Sequence, residues 1–145
     1  MQPPSKTVNT AAVADALRPV LLRVGRELRR EARALGVSPE QVSLLVAIKR
    51  APGVGIRDLA AGERISPPAM TKHVDRLERD GLVARTPSDD DRRRVGISLT
   101  DEGQRLLRRV RSRRTVWLAQ RLAGLTKEEL AAIEAAVGPL RKLAL

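Results

Sequence analysis

The chain has 145 residues, room for one domain built around a single core, with 28 Lys+Arg against 17 Asp+Glu and a formal net charge of +11. Such an excess attracts polyanions and repels cations, which puts nucleic acid and anionic membrane first among partners. The absence of cysteine excludes disulfides, thiol redox sensing, thiolate metal sites and cysteine nucleophiles.

In chain order, Met1 to Asn9 is polar with two adjacent prolines and reads as a flexible arm. A first helix is expected from Thr10 to Leu35, because Ala14, Leu17, Leu21, Val24 and Leu28 recur in steps of three and four; Gly36 stops it. Pro19 falls inside that pattern and should kink the helix or mark its start. A second helix begins at "SPEQ", with Ser38 as N-cap, Pro39 in the first position and Gln41 completing a capping box, and ends near Arg50. A short third helix covers Ile56 to Gly62, and a fourth covers Ser66 to Asp80 before Gly81. Two short strands follow, Leu82 to Thr86 and Arg93 to Leu99, joined by the polar turn "PSDDDR". Thr100 caps a long fifth helix to Ala123, and "TKEE" opens a sixth that ends near Leu143.

The fourth helix has two unlike sides. At 3.6 residues per turn, Met70, Val74 and Leu77 share one side and with Ile56, Leu59 and Ile65 predict a compact core. The opposite side holds Pro68, Thr71, Lys72, Asp75, Arg76 and Arg79, beneath Ser66 as cap. A face of that kind fits the major groove of duplex DNA, where lysine and arginine donate to guanine O6 and N7, and free N–H groups at the helix start can meet a phosphate. The preceding "IRDLAAGERI" supplies the first helix and turn of a helix-turn-helix. Arg92, Arg93 and Arg94 then lie where the wing of a winged helix meets the minor groove, whose narrow tracts attract arginine.

Three stretches together, "LGVSPEQVSLLVAI", "IRDLAAGERISPPAMTKHVDRLERDGLVAR" and "DRRRVGISLTDEG", resemble the MarR (multiple-antibiotic-resistance regulator) family of bacterial transcription factors, with matching element order from Thr10 to Leu143. The resemblance implies a mainly α fold with a small β wing. In that fold, residues 38–100 form a winged helix-turn-helix lobe, and residues 10–37 and 101–145 form dimerisation helices. It implies a homodimer on an inverted-repeat operator in double-stranded DNA, most often a repressor. Lys72, flanked by Pro68, Thr71 and Arg76, takes the base-reading position; Arg93 takes that of the minor-groove arginine, and Asp91 that of the acid orienting it. Arg92 and Arg94 would add backbone contacts or wing charge.

Many members of that family respond to small aromatic acids, and others sense peroxide through cysteine or bind zinc. With no cysteine and one histidine this chain departs from the last two classes, and only Trp117 is available to stack on an aromatic effector. Arginines of the first and fifth helices can still hold an anionic one, so the small-molecule effector is expected to be anionic or aromatic, with its binding residues unassigned. His73 reads as a partly buried structural histidine, Trp117 as a packing residue, and "RRVRSRR" as a solvated helix face. The acids Asp89, Asp90 and Asp91 lack the alternation and terminal glutamate of a calcium loop, so no metal or other cofactor is expected. The sequence contains no Ser-His-Asp grouping in suitable context, no phosphate-binding glycine loop and no histidine pair, which argues against an enzyme. Without a signal peptide, a long apolar run or an aromatic-rich amphipathic helix, no membrane association is expected and the cytoplasm is the expected location. The alternative reading is an architectural protein that coats DNA by charge alone.

Overall fold

The computed structural model describes residues 7–87 and 94–144. Six helices and one antiparallel pair of strands follow in the order α1 (Thr10–Arg33), α2 (Pro39–Arg50), α3 (Ile56–Glu63), α4 (Pro67–Arg79), β1 (Val83–Pro87), β2 (Val95–Leu99), α5 (Asp101–Leu122) and α6 (Lys127–Lys142). Local chemistry sets most of these boundaries. Ser38 and Gln41 close the capping box of α2 in both directions, and Thr126 and Glu129 do the same for α6. Ser66 accepts from the Ala69 N–H, with Pro67 in the first position of α4, where a missing N–H costs nothing.

Asn9 differs from its expected place in a loose arm. Its side chain accepts from the N–H groups of Ala11 and Ala12 and caps α1. Pro19 neither starts nor interrupts α1, which runs helical from Thr10; the helix ends at Arg33, two residues before Leu35. The end of α3 is set by Arg64, whose φ of 57° places a non-glycine residue in the left-handed region. From there its N–H and that of Ile65 return to carbonyls at the end of α3.

One core unites α2, α3, α4, both strands and the first half of α5. Leu45, Ile48, Met70, Val74, Leu77 and Ile97 are fully enclosed in it, each such burial stabilising the fold by roughly 1.5–3 kcal/mol. Ile65 is not in this core as its spacing suggested: it sits 37% exposed just before α4, where the turn swings it to the rim of a cleft. Ile56 is half-buried and packs against the core from outside.

The strands pair from Val83 opposite Leu99 to Pro87 opposite Val95. A bridge between Val54 and Ile97 clips the loop before α3 onto the outer edge of β2. Gly96 permits that clip, since a Cβ there would stand 2.7 Å from the Gly53 carbonyl oxygen. At the other end of the hairpin the Thr100 N–H donates to the Leu82 carbonyl, its hydroxyl donates to the Gly81 carbonyl, and the same oxygen caps α5 by accepting from Gly103. One residue thus joins the end of α4, the base of the wing and the start of α5.

Beyond this lobe, α1 packs on α5, with Ala32 as its one buried residue. Two long-range ties hold the pair: Arg113 meets the Glu31 carboxylate at 3.1 Å, and the Arg114 Nε donates to the Leu28 carbonyl at 3.0 Å. The run "RRVRSRR" is therefore only partly a solvated face. No residue of α6 is buried; Leu130, Ile133 and Val137 form an exposed stripe on it, and Val13, Val20 and Leu21 of α1 are exposed as well. Among the described residues, no helix is long and apolar enough to cross a membrane.

Candidate nucleic-acid interface

Helix α4 is anchored by Met70, Val74 and Leu77, which leaves its far side free of packing. Pro68, Lys72, Arg76 and Arg79 are all exposed there, as the helical spacing required. Thr71 is half-buried, and its hydroxyl donates to the Pro67 carbonyl one turn back. The start of α4 lacks the free N–H groups expected to meet a phosphate: Pro67 and Pro68 carry none, the Ala69 N–H donates to the Ser66 hydroxyl and the Met70 N–H to the Ser66 carbonyl.

The two flanks of α4 differ. Toward β1, Asp75 and Glu78 both accept from Arg85: Nη2 lies 2.7 Å from the Asp75 carboxylate and Nη1 lies 3.0 Å from that of Glu78. Asp75, expected on the DNA face, is thus tied to the wing strand. Toward α2 and α3, His73 borders an open cleft with Glu40, Glu63, Ile65, Met70 and Arg76. His73 is exposed rather than partly buried, because nothing among the described residues packs over that flank.

On the wing, Arg94 is exposed and stands beside Arg57 and Asp58 at the start of α3. Asp91, Arg92 and Arg93, together with Asp89 and Asp90, lie outside the described residues. Arg85 escaped the sequence reading, since nothing local marks a strand arginine as the partner of two carboxylates on the preceding helix. The signal available was the spacing of Asp75 and Glu78, which puts both on one flank of α4.

A second feature lies between α1, α2 and α5, where Arg29, Lys49, Arg50, Arg111 and Arg114 surround apolar side chains of Val42, Val46, Leu107 and Val110. Burial, and then the nearby charge of Arg29, lower the pKa of the Arg114 guanidinium from its ordinary value. The one aromatic ring is elsewhere: Trp117, half-buried, borders a recess with Glu31 and Arg113, and the Arg121 guanidinium lies 4.1 Å from its ring centroid. Among the described residues no group of three or more His, Asp or Glu is placed to hold a metal ion.

Comparison with known proteins gives this arrangement a context. The sequence model of the MarR family matches residues 37–95, from just before α2 to the start of β2. The helix-turn-helix transcriptional repressor MdtR of Bacillus subtilis is 32% identical over 115 residues, 79% of this chain and 74% of its own. The solved structure of transcriptional regulator Tm0710 of Thermotoga maritima is similar with a TM-score of 0.78 at 27% identity, over 92% of this chain and 94% of that one. Streptococcus pneumoniae FabT, solved in complex with DNA, shares the fold with a TM-score of 0.66 at 20% identity, over 94% and 97% of the two chains.

Proposed function

This chain belongs to the MarR family of winged helix-turn-helix transcriptional regulators, and from that premise we propose that it binds an inverted-repeat operator in double-stranded DNA as a homodimer, as a repressor. The observation that carries this reading is α4 itself: a helix fixed by three buried side chains and presenting Lys72, Arg76 and Arg79 to solvent. Pro68 and Thr71 flank Lys72 in the major groove, Ser66 fixes the start of the helix beside them, and Arg79 meets the backbone. The wing, through Arg93 oriented by Asp91 and through Arg92 and Arg94, reaches the minor groove.

The unpartnered stripe of α6 and the exposed apolar side chains of α1 support a second copy of the chain as the occupant of residues 10–37 and 101–145, with residues 38–100 as the reading lobe. The cationic recess between α1, α2 and α5 favours an anionic effector over an aromatic one, because the only indole lies outside it and is already covered by Arg121.

One observation favours the alternative of coating DNA by charge. Helix α5 has seven arginines against two acids and α1 has six against three, whereas residues 38–100 hold eleven basic against nine acidic side chains. Most of the charge excess therefore lies outside the reading lobe.

Selection of the purified protein on a randomised duplex library at physiological salt separates the two. Enrichment of an inverted repeat, with a specificity ratio of about 10³ or more, is the expected result. Retention without enrichment would replace the regulator by the charge-driven binder.

A further inference from the structure

The strand that separates a major groove read by α4 from a minor groove read by the wing has to cross the seam between them. At that seam stand two carboxylates, Asp75 and Glu78, each still about half exposed, with Arg85 between them from β1. Left bare, they would place negative charge beside a phosphate backbone, where two like charges repel strongly once the intervening water is thinned.

We propose that Arg85 is a positioning residue of the DNA-reading surface, which forks onto Asp75 and Glu78, offsets one of their two negative charges at the groove-to-groove seam and so lets the backbone approach; this inference rests on the reading of α4 and the wing given above. The fork suits the task. A planar guanidinium reaches two carboxylates with separate nitrogens, here at 2.7 and 3.0 Å, whereas an ammonium acts as a single point charge. Its side chain is three-quarters shielded, so its charge goes to the two acids of α4 rather than outward as that of Lys72 does. Asp75 is accordingly an anchor for the wing and not a reader of bases.

The test uses the full chain and the duplex that wild type selects, with affinity measured across a salt series. Arg85→Met keeps the apolar stem and exposes both acids; about a tenfold loss is expected, largest at low salt. Asp75→Asn with Glu78→Gln breaks the same ion pairs but removes the offending charge, and should bind at least as tightly as wild type. Adding Arg85→Met to that pair should return affinity to within about threefold of wild type, and Arg85→Lys should fall between Arg85→Met and wild type.

If the amide pair weakens binding as much as Arg85→Met does, the tie is purely structural and the proposal is overturned. If the triple variant stays as weak as Arg85→Met, Arg85 touches DNA itself, and the proposal is overturned in the other direction. Unchanged affinity in a folded Arg85→Met protein overturns it too, with folding read from the Tm. Wild type that selects no duplex at all would instead remove the DNA-reading assignment, and this inference with it.

Discussion

Lys72, Arg76 and Arg79 are exposed and none belongs to the core, so changes there act mainly on the surface. Lys72→Ala should leave the unfolding free energy within about 0.5 kcal/mol of wild type while relaxing base preference by roughly 1–3 kcal/mol at one position. Parallel selections with the two proteins would show it. Arg93→Ala should instead weaken binding to every sequence and reduce the salt slope by about one. Unchanged affinity in both variants would remove the assignment of these residues. Gly103 is the opposite case, a residue no ligand meets. An added Cβ would run into the Leu82 carbonyl, the same oxygen that receives the Thr100 N–H. Gly103→Ala should therefore cost about 1–3 kcal/mol or more in chemical denaturation, because α5 must move off the base of the wing.

Among the elements, the turn from α3 into α4 sets the attitude of α4. It depends on Arg64 in the left-handed region, a conformation that costs a non-glycine residue roughly 1–2 kcal/mol. Asparagine tolerates it better, so Arg64→Asn should raise stability by up to about 1 kcal/mol; a lower Tm would mean that the arginine side chain contributes more than its backbone strain costs. Ser66→Ala, which removes the cap on the Ala69 N–H, should cost about 1 kcal/mol and loosen the first turn of α4. Hydrogen exchange should detect that loosening at the amides of the first turn. The wing is held at its base by Thr100 and at its edge by the bridge of Val54 to Ile97. Its base therefore moves with the lobe.

For the whole molecule, the proposed homodimer turns on α6. A helix with no buried residue, and an apolar stripe of Leu130, Ile133 and Val137 more than two-fifths exposed, gains nothing by folding alone in water. Ile133→Asp should yield monomers in light scattering and abolish the preference for paired half-sites about one helical turn, ~34 Å, apart, while leaving the lobe folded. A variant that stays dimeric would move the interface away from α6. Arg113 with Glu31 and Arg114 with the Leu28 carbonyl tie α5 to α1, so α1 is joined to the helix that leaves the wing. An anion held by the arginines beside Arg114 would act on that joint.

Interactions that act over a few residues are written into the chain locally. The capping boxes of Ser38 and Thr126, proline after Ser66, and the periodicity of Met70, Val74 and Leu77 each encode an element and its inward side within one or two turns. Together they also made the mainly helical fold, the small wing and the exposed face of Lys72 and Arg76 legible. Burial at the edges was not: His73 and Ile65 have the spacing of partly buried or core residues, but whether a neighbour covers them depends on where α2 and α3 stop. The ties of Arg85 to Asp75 and Glu78, of Arg113 to Glu31, and of Val54 to Ile97 join residues from 7 to 82 positions apart. Only the tertiary structure decides such pairs, because an arginine in a strand or helix has many acids within its charge and only the packed backbone brings particular ones within hydrogen-bond reach.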